Sequence, residues 1–176
     1  LCDAGDAVLV PRPSYPLFEH LTALEGVRAK PYELEYHGRW SIDPASILAA
    51  PERTRAVLAV SPNNPTGSFV SAEELAARTQ ICRDRKWALV VDEVFADYPL
   101  DAREPLTDIA ARTDILTFSL AGLSKTVGLP QLKLAWIVAG GPPADRDAAL
   151  AALELVADCY LSVATPVQVA VPQLLR

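Results

Sequence analysis

The sequence contains no methionine, even at its first position, and only three cysteines and two histidines in 176 residues. Cys2, Cys82 and Cys159 lie far apart and form no CxxC pair. That spacing argues against a disulfide-stapled scaffold and against a structural zinc site. His20 and His37 cannot build a His-rich metal centre, and each reads as a surface or capping residue. No apolar stretch reaches the roughly 18 residues of a membrane-spanning helix, and no signal-peptide pattern is seen. Basic residues are in the minority: 16 Lys plus Arg against 22 Asp plus Glu give a formal charge of −6. Such a chain lacks the broad positive surface that neutralises nucleic-acid phosphates. A small local anion site stays compatible with it. No GxGxxG follows a strand and no glycine-rich loop runs into a GK[ST] triplet, so dinucleotide and P-loop readings both lose. The expectation is a soluble, cytoplasmic protein without a nucleic-acid or membrane partner.

What is present is core material. Hydrophobic residues make up 51% of the chain and charged residues 22%, which excludes disorder and a collagen-like repeat. The opening Leu1-Cys2-Asp3-Ala4-Gly5-Asp6 reads as the middle of a longer polypeptide.

Short apolar runs alternate with helical patterns. Strands are expected at 7–10, 27–34, 55–60, 87–92, 115–120 and 132–138. Helical patterns fall at 15–24, at 44 onward behind an Asp43 cap, and from Ser71 to about Arg83. In the last, Glu74 stands at the capping-box spacing. A short turn is expected at 108–112, a long alanine-rich helix at 145–160, and a further helix from Pro166. Pro62, Pro65 and Gly67 forbid regular structure over 61–68. Strand–helix–strand at this spacing predicts an α/β fold: three layers, α/β/α, around buried, mostly parallel strands.

In open α/β sheets, ligands bind beyond the carboxyl ends of the strands. Asn64 follows one strand, Asp92 ends the next and Lys125 follows a third, each about one strand–helix unit apart. All three loops can therefore share a rim. Asp92, preceded by Ala88-Leu89-Val90-Val91, needs a partner if buried. That partner is either a cap or salt bridge, or a metal or protonated ring nitrogen. Lys125, in Gly122-Leu123-Ser124-Lys125-Thr126, is either a solvated loop lysine or a group that meets phosphate or forms an imine. No cluster of His, Cys and acids offers a metal site.

Four motifs then occur together. Ser61-Pro62-Asn63-Asn64-Pro65-Thr66-Gly67 resembles the Asn-Pro-Thr-Gly motif of class I and II aminotransferases, fold-type I enzymes that use pyridoxal 5′-phosphate. Asp92-Glu93-Val94-Phe95-Ala96-Asp97-Tyr98 resembles their strand-end acid motif. Ser124-Lys125-Thr126-Val127-Gly128-Leu129-Pro130 resembles the stretch around their cofactor lysine, and Pro13-Ser14-Tyr15-Pro16 an upstream motif with a ring-stacking aromatic. The resemblance runs over essentially the whole chain. It implies that residues 1–176 are the central portion of the cofactor-binding large domain. Residues 145–176 would be a helical region leading toward a small domain. It also implies the roles: Lys125 as Schiff-base lysine and proton shuttle, Asp92 beside the pyridinium nitrogen, and Asn64 donating to the ring O3′. Tyr15 would stack on the ring, and Ser124 would help to hold phosphate.

Three departures qualify the resemblance. The family often has tyrosine where Phe95 stands, and phenylalanine cannot donate a hydrogen bond. Eight residues beyond Lys125, its phosphate-binding arginine is Lys133, which keeps the charge without the planar fork. Three residues before Lys125, its serine is Gly122. The implied activity is transfer of an amino group between an L-amino acid and a 2-oxo acid by a ping-pong scheme, in a homodimer. Same-fold alternatives are a carbon–sulfur β-lyase and the effector-sensing domain of a fused transcriptional regulator. The resemblance places the glycine–serine phosphate cup and the substrate-gripping arginine outside these residues, so this chain alone is expected to be inactive.

Overall fold

The computed structural model describes residues 1–99, 108–109 and 111–176. Among them, seven strands form one sheet flanked by helices on both faces. The strands are β1 (Ala7–Arg12), β2 (Arg28–Tyr36), β3 (Trp40–Ile42), β4 (Thr54–Val60), β5 (Ala88–Asp92), β6 (Thr117–Gly122) and β7 (Ala135–Gly140). Their spatial order is β3-β2-β1-β4-β5-β6-β7. The helices are α1 (Leu17–Leu24), α2 (Pro44–Leu48), α3 (Ala72–Arg85), α4 (Leu123–Thr126), α5 (Pro143–Asp158) and α6 (Thr165–Leu174).

The alternation of side chains across the strands makes the three layers. Val57, Ala59, Leu89 and Val91 point to one face, where they pack with Leu75 and Cys82 of α3 and with Ile47 of α2. Ala56, Ala88 and Phe118 point to the other, toward Ala149 and Leu153 of α5. The β2-β1-β4-β5-β6 run is parallel, with α1 in the β1–β2 connection and α3 in the β4–β5 connection. Both edge strands, β3 and β7, run antiparallel. The sheet is thus mostly parallel, as expected, with the strand at the expected 132–138 position antiparallel. Between β6 and β7 the chain makes only α4 and a short 3₁₀ turn at Pro130–Leu132, with no crossover helix to carry it back to the start of the sheet.

Local chemistry explains most boundaries. Ser71 accepts from the Glu74 N–H while the Glu74 carboxylate accepts from the Ser71 N–H, closing the capping box of α3. Asp43 accepts from the Ala45 N–H ahead of Pro44. β1 continues past Pro11, where a stop is expected, because its β4 pairing already ends at Leu9. The missing proline N–H therefore costs no rung on that side. Of the turn expected at 108–112, residue 110 lies outside the described residues. The base of the sheet is tied by Asp6, which is fully buried. Its carboxylate accepts from Arg53 Nε at 2.8 Å, Arg55 Nε at 3.0 Å and the Asp3 N–H at 3.0 Å. The Asp3 N–H and the two guanidinium groups outweigh burial and hold this carboxyl well below the usual range.

Candidate active site

Val60, Asp92 and Leu120 stand side by side across β4, β5 and β6, so the loops after them leave one rim. Backbone bonds lock the rim. The Ser61 N–H donates to the Asp92 carbonyl at 2.9 Å, and the Glu93 N–H to the Leu120 carbonyl at 2.9 Å. β1 reaches the same side, and Asn63 binds its loop to the next. Asn63 is buried; it accepts from the Ser14 hydroxyl at 2.9 Å and donates to the Pro13 carbonyl at 3.1 Å and to Thr66 Oγ1 at 2.9 Å. The loop carrying Tyr15 and the loop carrying Asn64 are thereby one structure. Tyr15 and Asn64 themselves remain exposed on it.

Asp92 is half-buried, and burial pushes its carboxyl up, only partly offset by the Val94 N–H at 3.1 Å. Among the described residues it makes no ion pair. Neighbouring Glu93 turns the other way, takes the Ser119 hydroxyl as partner, and is also pushed up by burial. Lys125 lies on the single turn of α4, exposed, with Nζ 5.1 Å from the centre of the Phe95 ring. That is cation–π distance. Tyr98 packs edge-on against Phe95 and donates its hydroxyl to the Lys125 main-chain carbonyl at 2.5 Å. Ser124 shares α4 and is partly buried.

Lys133 follows the 3₁₀ turn in a left-handed conformation, φ 52°, rather than in a strand. The next carbonyl, of Leu134, accepts from the Leu123 N–H at 3.0 Å, which holds Lys133 beside the start of α4. Gly122 has a steric reason. A Cβ there would lie 2.9 Å from the Leu134 carbonyl oxygen and 3.0 Å from Ala135. The close antiparallel approach of β7 leaves no room for a serine.

Asn63 and Tyr98 are the two residues that sequence reasoning passed over. Asn63 stands in the quoted motif without a role of its own. Tyr98, three residues beyond Phe95, reads as unable to replace the hydroxyl that Phe95 lacks, and its partner lies 27 residues away. A groove of about 1010 Å³ between α5 and the sheet, lined by Phe118, Ala149 and Leu153 among others, contains none of the candidate residues. Among the described residues no group of three or more His, Cys, Asp or Glu is placed to hold a metal, and no helix is long and apolar enough to cross a membrane.

The sheet carries an acid, an asparagine and a lysine on adjacent loops at its carboxyl rim, the edge at which open α/β sheets bind ligands. Comparison with known proteins agrees: the profile of the aminotransferase class I and II family matches residues 1–176, and the chain belongs to that family. It is 31% identical over 172 residues to the glutamate-pyruvate aminotransferase AlaA of Escherichia coli K12, covering 97% of this chain and 42% of that protein. It is 28% identical over 173 residues to the S-alkyl-thiohydroximate lyase SUR1 of Arabidopsis thaliana, covering 96% and 37%. The crystal structure of an aminotransferase from Escherichia coli superposes with a TM-score of 0.87 at 32% identity, over 96% of this chain and 42% of that one. A PLP-bound putative aminotransferase from Clostridium difficile 630 shares the fold, with a TM-score of 0.82 at 18% identity over 97% and 44%. The chain spans about two fifths of the length of the curated relatives it matches.

Members of this family use pyridoxal phosphate. The residues here fit that group. Among the described residues, Asp92 is a desolvated carboxylate with one N–H donor and no counter-charge, which suits a protonated ring nitrogen. Asn64 carries an amide with no hydrogen bond among the described residues. Lys125 presents an exposed amine on the same rim.

Proposed function

We propose that the protein carrying this chain is a pyridoxal-phosphate-dependent aminotransferase. It would move an amino group between an L-amino acid and a 2-oxo acid in two half-reactions. The observation that carries this reading is the Asp92 carboxyl, without an ion pair among the described residues, on a rim shared with Asn64 and Lys125. Pyridoxal phosphate, when bound, supplies an aldehyde carbon that accepts the amino group and a ring that withdraws electrons from the substrate Cα.

The chain's residues do the rest. Lys125 holds the cofactor covalently. Its amine would remain beside the substrate Cα and would serve there as general base and then general acid. Asp92 keeps the ring nitrogen protonated. Asn64 donates to the ring hydroxyl, and Tyr15 covers a ring face. Ser124 and Lys133 hold phosphate, Lys133 as a point charge without arginine's fork. Phe95 offers the lysine a ring face where a hydroxyl donor is frequent. Residues 1–176 would form the central part of a large domain, with residues 145–176 leading toward a small one. The working form would be a cytoplasmic homodimer.

The test uses the full-length protein with pyridoxal phosphate and a panel of L-amino acids that begins with glutamate and alanine, without acceptor. The visible cofactor band should bleach with one equivalent of 2-oxo acid and no ammonia. Release of pyruvate and ammonia would instead assign a β-lyase, the activity class in the name of the less similar relative SUR1. A protein that forms no band, or one that no amino acid alters, would end the aminotransferase reading.

A further inference from the structure

The turn that carries Lys125 is weakly built. α4 has four residues and no side-chain cap at Gly122. Its closing bonds are long: Val127 N–H to the Leu123 carbonyl at 3.4 Å, Leu129 N–H to the same carbonyl at 3.2 Å, and Gly128 N–H to the Lys125 carbonyl at 3.2 Å. The shortest bond to this turn comes from outside it, the Tyr98 hydroxyl to the Lys125 carbonyl at 2.5 Å. Tyr98 is itself steadied by the Phe95 ring, 6.2 Å between centroids at 74°, and by its own N–H on the Phe95 carbonyl at 3.0 Å. The same Phe95 ring faces Lys125 Nζ. Asp92, Phe95 and Tyr98 are spaced by three residues, so the loop that presents the acid also presents both rings to Lys125.

We propose that Tyr98 is a positioning residue for Lys125: its hydroxyl anchors the main chain of the lysine turn, while Phe95 braces it and faces the amine. The proposal rests on the reading of Lys125 as the cofactor lysine. It gives the hydroxyl of this loop a main-chain target, where the family's frequent tyrosine at the Phe95 position serves the cofactor. An amine that must return to one carbon after each release depends on how rigidly its backbone is held.

The full-length protein tests this with Tyr98→Phe, which removes the donor and keeps the ring. In the cofactor-free protein, amide exchange at residues 127–129 should rise about five- to tenfold, the equivalent of one hydrogen bond. Exchange in β4 and β5 should not change. With pyridoxal phosphate added, the induced circular dichroism of the bound cofactor should weaken, and kcat should fall with little change in KM. Placing 4-aminophenylalanine at position 98 restores a para donor and should recover exchange, dichroism and kcat together. Wild-type exchange and dichroism in Tyr98→Phe, a rise in exchange spread over the whole molecule, or no rescue by the amino analogue would each overturn the proposal. A wild-type protein that takes up no pyridoxal phosphate would overturn the proposed function instead, and the exchange measurement would still decide the anchor.

Discussion

Asp92 is placed at a cost. Its carboxyl is pushed up by burial and has one N–H donor, so its charged form weakens the cofactor-free fold. The sign follows from proton linkage: the penalty is absent below the ordinary carboxylate range and grows as pH rises through the raised value. Asp92→Asn should therefore leave the cofactor-free protein as stable or more stable at neutral pH, and remove that part of its pH dependence in urea titrations. The same variant should lose about 10²-fold or more in kcat with cofactor present. Gly122 carries the opposite lesson. Its serine counterpart in the family suggests that Gly122→Ser would regain a phosphate contact. The 2.9 Å approach of the Leu134 carbonyl says otherwise. Gly122→Ser should cost about 1–3 kcal/mol of stability with no tighter retention of pyridoxal phosphate, read by urea midpoint and by cofactor titration. The shared rim placement of Asp92, Asn64 and Lys125 was legible in the sequence because each lies at or just beyond a strand end within a recognisable motif. Tyr98 was not, since its partner is a main-chain atom 27 residues on, and no pattern encodes such a contact.

At the scale of elements, capping and periodicity were readable, and pairing was not. The Ser71–Glu74 box and the Asp43–Pro44 start both form as their residues dictate. Ser71→Ala should cost about 1 kcal/mol, measured by urea denaturation, with the site's cofactor affinity unchanged. β3 escaped notice because it has three residues, Trp40-Ser41-Ile42, too few for an alternation to register. Its existence depends on the turn at Gly38, φ 82°, which folds it back on β2. The direction of β7 escaped for a related reason. An apolar strand looks the same from either end, and its sense shows only in the pairing with β6.

At the scale of the molecule, the sheet divides into two unequal faces. The face under α2 and α3 is a continuous core from Leu9 to Ile115. The face under α5 has three buried residues and the open groove, and no residue of α5 or α6 is fully buried. Residues 1–176 expressed alone should bind a hydrophobic dye and show rapid amide exchange in α5 and α6 against slow exchange in β4 and β5. A dye-silent chain with uniform protection would contradict this. The carboxyl rim is tied together through Asn63 and the Val60–Asp92–Leu120 row. The central claim is that this rim gathers four loops around one cofactor lysine. It is tested most directly by adding pyridoxal phosphate to the full-length protein, reducing with borohydride and mapping the adduct by mass spectrometry. The account predicts a single adduct, on Lys125, that is absent in Lys125→Ala. An adduct on another lysine, or none, would contradict it.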